Sequence, residues 1–170
     1  ASLPEDLIFH VNYLGEIMPT FALNFSRPGA QVVAQYYNFL RLGFEGYRRV
    51  QAYAREVAQD LAREIEGLGP FELVTRGDEL PVFALKLRDS VDNFTVFDVS
   101  AAVRERGWQV PAYTFPANRE DLAVLRIVVK RGFTHDVAAL FVTDLQRQLP
   151  GLLGQKHATR DIARSGSFRH

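Results

Sequence analysis

"EGYRRVQAYAREVAQDLAREIEGLGP", residues Glu45 to Pro70, is the stretch on which the reading of the fold turns. Tyr47, Val50, Ala54, Val57, Leu61 and Ile65 recur at three- and four-residue steps, which places them on one face of a helix. Arginine and glutamate fill the other face. Gly67, Gly69 and Pro70 then supply a stop, because glycine accepts the backbone of a helix end and proline cannot continue one. A helix this long commonly bridges two structural units, so a boundary is expected within it or just after it. The chain is accordingly divided into residues 1–45, a connecting helix 46–69, a compact unit 70–150 and a tail 151–170.

Downstream of that helix, short elements alternate. "FELVT" and "PVFALKL" read as strands, and "VFDVSAAVRERG" as a helix closed by Gly107. "WQVPAYTF" and "LAVLRIVV" read as further strands. Thr134 is placed to cap a last helix carrying Val137, Leu140, Phe141, Leu145 and Leu149, with Asp136 near the positive end of its dipole. Strands and helices interleaved over about 80 residues predict a small α+β sandwich, with helices on one face of a mostly antiparallel sheet. From Gly151 onward the composition turns polar, and a tail is expected.

Upstream, "DLIFHVNYL" reads as a strand or hairpin arm and "TFALNF" as a second short strand. A helix follows Pro28, whose missing N–H costs nothing in a first turn. Val32, Val33, Tyr36, Tyr37, Phe39 and Leu40 are apolar almost all round it, which predicts burial. Gly43 marks its break. No internal repeat or low-complexity tract is present.

Composition narrows the function classes. The 170 residues are 47% hydrophobic and 24% charged, with a formal net charge of zero. That is ordinary for a globular domain. Zero net charge speaks against a general nucleic-acid binder or a polybasic membrane anchor. The chain has no cysteine, which removes disulfides, thiolate metal sites and cysteine nucleophiles and fits a cytoplasmic location. No apolar run approaches the roughly 18 residues that cross a bilayer, and "ASLPEDLIFH" lacks the features of a signal peptide. The first residue is Ala1 rather than Met, which suggests a fragment.

Few residues stand out as chemistry. Ser26-Arg27-Pro28-Gly29 opens a helix, where free N–H groups favour phosphate; spacing alone favours a plain N-cap. Tyr13, before Gly15, can serve as a proton donor, but alone reads as a strand aromatic. Arg126 in "LAVLRIVVK" shares a strand face with Val124, Val128 and Lys130. Were that face buried, the guanidinium would need an anion such as a bidentate carboxylate. Were it solvated, Arg126 would simply be exposed, and the residues leave the two readings even. His10, His135, His157 and His170 show no metal-ligand spacing, so no metal is expected. Neither a glycine-rich phosphate loop nor a nucleophile elbow occurs.

"HVNYLGEIMPTFALNFSRPGAQVVAQYYNFLRLG", "RGWQVPAYTF", "LRIVVKRGF" and the terminal "SFRH" closely resemble bacterial glutamate decarboxylases, from near residue 5 to residue 170. Those are pyridoxal-phosphate (PLP) enzymes of the aspartate-aminotransferase fold type, fold type I. The resemblance implies the C-terminal third of such an enzyme. Residues 1–45 would then end the large PLP-binding domain, and 70–150 would form its small C-terminal domain. It implies conversion of L-glutamate to 4-aminobutyrate and carbon dioxide, with the cofactor ring as electron sink, in a homo-oligomer of identical subunits.

Carried over by residue, Phe25 and Ser26 would reach the cofactor phosphate of the neighbouring subunit. Tyr13, beside Leu14, would sit on a mobile hairpin covering the neighbour's active site and act as proton donor. Arg126 would hold the substrate carboxylate, which tips the even reading towards function. His170 matches the near-terminal histidine that blocks the cofactor at neutral pH in acid-induced members. The family's Schiff-base lysine has no counterpart among Lys86, Lys130 and Lys156, so this chain alone is expected to be inactive. The tail has no tryptophan, so calmodulin is not an expected partner. Two alternatives remain: a non-catalytic interaction module of the same fold, and a related decarboxylase acting on another, aromatic amino acid.

Overall fold

The computed structural model describes the backbone of residues 9–11 and 18–20, and residues 28–116, 118–119 and 121–156 in full. Two short strands, β1 (Phe9–Val11) and β2 (Met18–Thr20), pair antiparallel, with Phe9 opposite Thr20. The second strand lies earlier than "TFALNF" and shares only Thr20 with it. Pro19 can stand there because a two-stranded ribbon has only edges, and an edge position needs no N–H donor.

Helix α1 (Ala30–Glu66) begins at Gly29, with Pro28 one residue before the cap. Gly43 interrupts it with φ 57° and ψ −174°, outside helical space. A side chain at that φ would be strained, so glycine is what permits two helical segments to join there. Every buried residue of α1 lies in the second segment: Ala54, Val57, Ala58, Leu61, Ala62 and Ile65. Ala54, Val57, Leu61 and Ile65 belong to the stripe read from the sequence and Ala58 and Ala62 widen it, whereas Tyr47 and Val50 are only half-buried; the helix ends at the Gly67 cap.

The first segment departs from expectation. Val32, Val33, Tyr36, Tyr37, Phe39 and Leu40 are exposed, each by half or more. Their apolar pattern all round the helix predicted burial, but among the described residues they stay exposed, with Phe39 meeting the Tyr47 ring at 5.6 Å. They form an apolar patch of the kind that marks an interaction surface.

Four strands make the main sheet: β3 (Phe71–Arg76), β4 (Val82–Leu87), β5 (Ala112–Thr114) and β6 (Ala123–Val128), in the order β3-β4-β6-β5. All three pairings are antiparallel. β5 is shorter than "WQVPAYTF", since Pro111 has no N–H to give a ladder. α2 (Val96–Arg104) and α3 (His135–Leu153) join the second segment of α1 on one face. Phe71, Phe83, Leu85 and Leu125 point into this layer and are almost wholly buried. Each stabilises by roughly 1.5–3 kcal/mol relative to exposure. This is the α+β arrangement that the alternating elements predicted.

Caps fix the helix ends. Thr95 and Asp98 form a reciprocal box at the start of α2. At α3, the Thr134 hydroxyl accepts the Val137 N–H, as expected. α3 runs on past Pro150 to Leu153, and Leu152 is buried, so helix replaces the expected polar tail for three residues. Asn93 secures that end by donating its amide to the carbonyl of Leu153 at 2.8 Å, with longer contacts to Leu152 and Gln155. Phe141, Leu145 and Leu149 are buried, but Leu140 is exposed, because the stripe turns through Ala138 and Val142 instead.

Candidate functional site

Side chains alternate along β6. Leu125 faces the helices, so Val124, Arg126 and Val128 stand on the opposite face, the grouping expected from the sequence. Arg126 lies between Ala84 on β4 and the β5 side, and its backbone N–H donates to the Pro111 carbonyl at 3.0 Å. The guanidinium is half-buried, with its carbon 5.5 Å from the centre of the Tyr113 ring. That contact is worth about 0.5–2 kcal/mol and holds the arginine over the strand. Val124 is fully buried and Val128 exposed, so this face is neither wholly core nor wholly solvent.

At this end of the sheet lies a cavity of about 460 Å³. Arg104 at the end of α2, Arg126 and Lys130 bring three cations to its wall, while Trp108, Phe133 and Phe141 supply an aromatic side. Such a lining suits an organic anion with an apolar body. The aromatic side is rigid. Trp108 meets Phe141 at 5.2 Å and Phe133 at 6.4 Å, both edge-on. Its indole N–H donates to Asp144 Oδ2 at 3.0 Å, and Arg106 donates to Oδ1 at 3.1 Å. The indole bond first, then Arg106 and Arg147, hold the Asp144 carboxyl below the usual carboxylate range against the opposing effect of burial. Sequence reasoning passed over Tyr113, Arg104 and Trp108 as site residues. The lone tryptophan in "RGWQVPAYTF" was the available signal.

Among the described residues, the side chains do not by themselves form a PLP site. A lysine that binds such a cofactor needs its pKa lowered. Lys86 is displaced the other way, chiefly by the Glu72 carboxylate, with Asp89 adding to it. Lys130 and Lys156 are exposed. Tyr13, Leu14, Phe25, Ser26 and His170 lie outside the described residues. Arg126 is thus the only residue of the sequence-derived set with a described environment. None of the helices is long and apolar enough to cross a membrane among the described residues.

A long kinked helix thus precedes a small antiparallel sheet covered on one face by helices. Residues 1–88 match the pyridoxal-dependent decarboxylase conserved domain, and the chain belongs to that family. Glutamate decarboxylase of Aliivibrio fischeri is 54% identical over 148 residues, covering 86% of this chain and 32% of that protein. Glutamate decarboxylase of Solanum lycopersicum is 46% identical over 150 residues, covering 88% and 30%. The solved Lactobacillus brevis glutamate decarboxylase superposes with a TM-score of 0.72 at 42% identity, over 88% of this chain and 34% of that one. The chain thus spans about a third of the length of these relatives, and its fold is that of fold type I PLP enzymes.

Proposed function

We propose that this chain is the C-terminal part of a PLP-dependent glutamate decarboxylase. In it, L-glutamate loses its α-carboxylate as carbon dioxide and leaves 4-aminobutyrate. The cofactor supplies the electron sink, and the lysine that carries it belongs to a longer protein. The observation that carries the reading is the placement of Arg126. It stands on the sheet face away from the helices, steadied by Tyr113, within the segment that resembles the family. Its role is to hold the substrate carboxylate through a planar, always-charged fork.

Tyr13 belongs to the proposal as proton donor, Phe25 and Ser26 as phosphate contacts to a neighbouring identical subunit, and His170 as a regulatory residue. The partner subunits make the enzyme a homo-oligomer. A cytoplasmic location goes with this reading, and the cysteine-free composition supports it.

The test is carbon dioxide release by the longer protein, offered L-glutamate and aromatic amino acids separately. Turnover of glutamate is expected. Release from aromatic substrates alone would favour the related-decarboxylase reading, and no release from any would favour the interaction module. In the active protein, Arg126→Ala should lose nearly all activity and Arg126→Lys much of it, with folding intact. Loss of such a charged contact is worth roughly 2–5 kcal/mol, or tens to thousands of fold in rate. Near-normal turnover of Arg126→Ala would refute the assigned role.

A further inference from the structure

Glu56 and Asp60 are one helical turn apart on α1, beside the buried stripe of Val57 and Leu61. His135 is the first residue of α3, immediately after the Thr134 cap. Packing of α1 against α3 brings these three distant side chains together. One donor atom from each lies within 4.8 Å of the others. Asp60 Oδ2 is 3.8 Å from His135 Nδ1, and Glu56 Oε1 is 4.0 Å from Nε2.

We propose that Glu56, Asp60 and His135 form a binding site for a divalent transition-metal ion of the zinc class. The site goes beyond the decarboxylase reading and does not depend on it, since it lies in the helix layer on the opposite side of the sheet from Arg126. One imidazole nitrogen and two carboxylate oxygens are a donor set that zinc accepts, with remaining positions open to water. Around a tetrahedral zinc, donors bound at about 2.0–2.1 Å sit roughly 3.3 Å apart. Asp60 and Glu56 now face different ring nitrogens, and the donors of the set lie within 4.8 Å of one another, so binding at one nitrogen needs side-chain rotations that bring both carboxylates to it. Glu56 is the most exposed of the three, at 66%, and has the freedom to make them.

The neighbours orient the set. Arg63 pairs with Asp60 Oδ1, which leaves Oδ2 directed at the imidazole. Tyr53 meets the His135 ring edge-on at 5.6 Å and 89°, limiting its rotation. Outer partners of this kind fix the orientation of metal ligands. The positive end of the α3 dipole opposes a cation by about half a charge and the Arg63 guanidinium adds to it, but the two carboxylates outweigh both. The imidazole favours zinc, cobalt or nickel over magnesium and calcium, which take oxygen donors.

Titration of the metal-free 170-residue chain with zinc, in competition with a chromophoric chelator, tests the site. Cobalt in place of zinc supplies visible absorption that reports nitrogen and oxygen ligation. One equivalent of zinc is expected, undisturbed by excess magnesium. His135→Asn and Asp60→Asn should each weaken it tenfold or more. Glu56→Gln, at an exposed position where folding is not at risk, should weaken it several-fold. Substituting His10, His157 and His170 together by glutamine should leave that equivalent in place. Absence of stoichiometric zinc binding would overturn the proposal. So would binding that survives both His135→Asn and Glu56→Gln, or that disappears with the other three histidines.

Discussion

Asp98→Ala is expected to be the most informative stability change in the sheet unit. Asp98 is 5% exposed, and its Oδ2 accepts both the Thr95 N–H at 2.8 Å and the Thr95 hydroxyl at 2.9 Å. Thr95 in turn accepts the Asp98 N–H at 3.3 Å. Alanine leaves two buried donors without an acceptor. Hydrogen bonds to an ionised group are worth about 1.5–3 kcal/mol each, but these two share one oxygen and do not add. Loss of the negative charge from the first turn costs about 0.3–1 kcal/mol more. The expected total is about 3 kcal/mol. Asp98→Asn keeps an acceptor and loses the charge, so it should cost about 1 kcal/mol.

Urea unfolding followed by fluorescence of the single tryptophan, Trp108, reads this directly, because its ring is packed on Phe133 and Phe141. With a slope of about 1–3 kcal/mol per molar urea, Asp98→Ala should lower the midpoint by roughly 1–3 M. The double change Thr95→Ala/Asp98→Ala should cost less than the sum of the two singles, since they share bonds. An Asp98→Ala midpoint within about 0.3 M of the parent, by the same slope, would refute the reasoning. Equal losses for alanine and asparagine would show that charge, rather than the two acceptor bonds, carries the effect.

Two other outcomes follow from the same structure. The Asp144 carboxyl titrates below its ordinary 3.8, chiefly through the Trp108 indole bond. A depressed folded value contributes stability above the unfolded one and loses it as pH falls through the folded one. The stability gap between the parent and Asp144→Asn should therefore be constant from about pH 5 upward and shrink below about pH 4; a gap that widened in acid would contradict this. Incubation of the isolated chain with PLP, then borohydride reduction and mass measurement, should give no stoichiometric adduct on a single lysine. An adduct confined to Lys86, Lys130 or Lys156 would overturn that expectation.

Much of this protein was determined by short-range sequence signals. The stripe from Ala54 to Ile65, the Gly67 stop and the Thr134 cap are decided within a turn or two of backbone, so periodicity and capping chemistry suffice to read them. The same holds for the shared face of Val124, Arg126 and Val128, which follows from strand alternation. Tertiary structure decided what depends on the neighbour rather than the chain. The place of β2 is a choice of register, and the first strand's alternation does not specify its partner. Whether the apolar residues from Val32 to Leu40 are covered depends on what packs there, which no pattern within the helix encodes. The surroundings of Arg126 are likewise assembled across elements, from Tyr113 on the adjoining strand and the cavity shared with α2 and α3. Glu56 and Asp60 meet His135 only because two helices separated by some seventy residues pack together. Local geometry acts over a few residues of chain, whereas a site assembled across elements exists only once the core has closed.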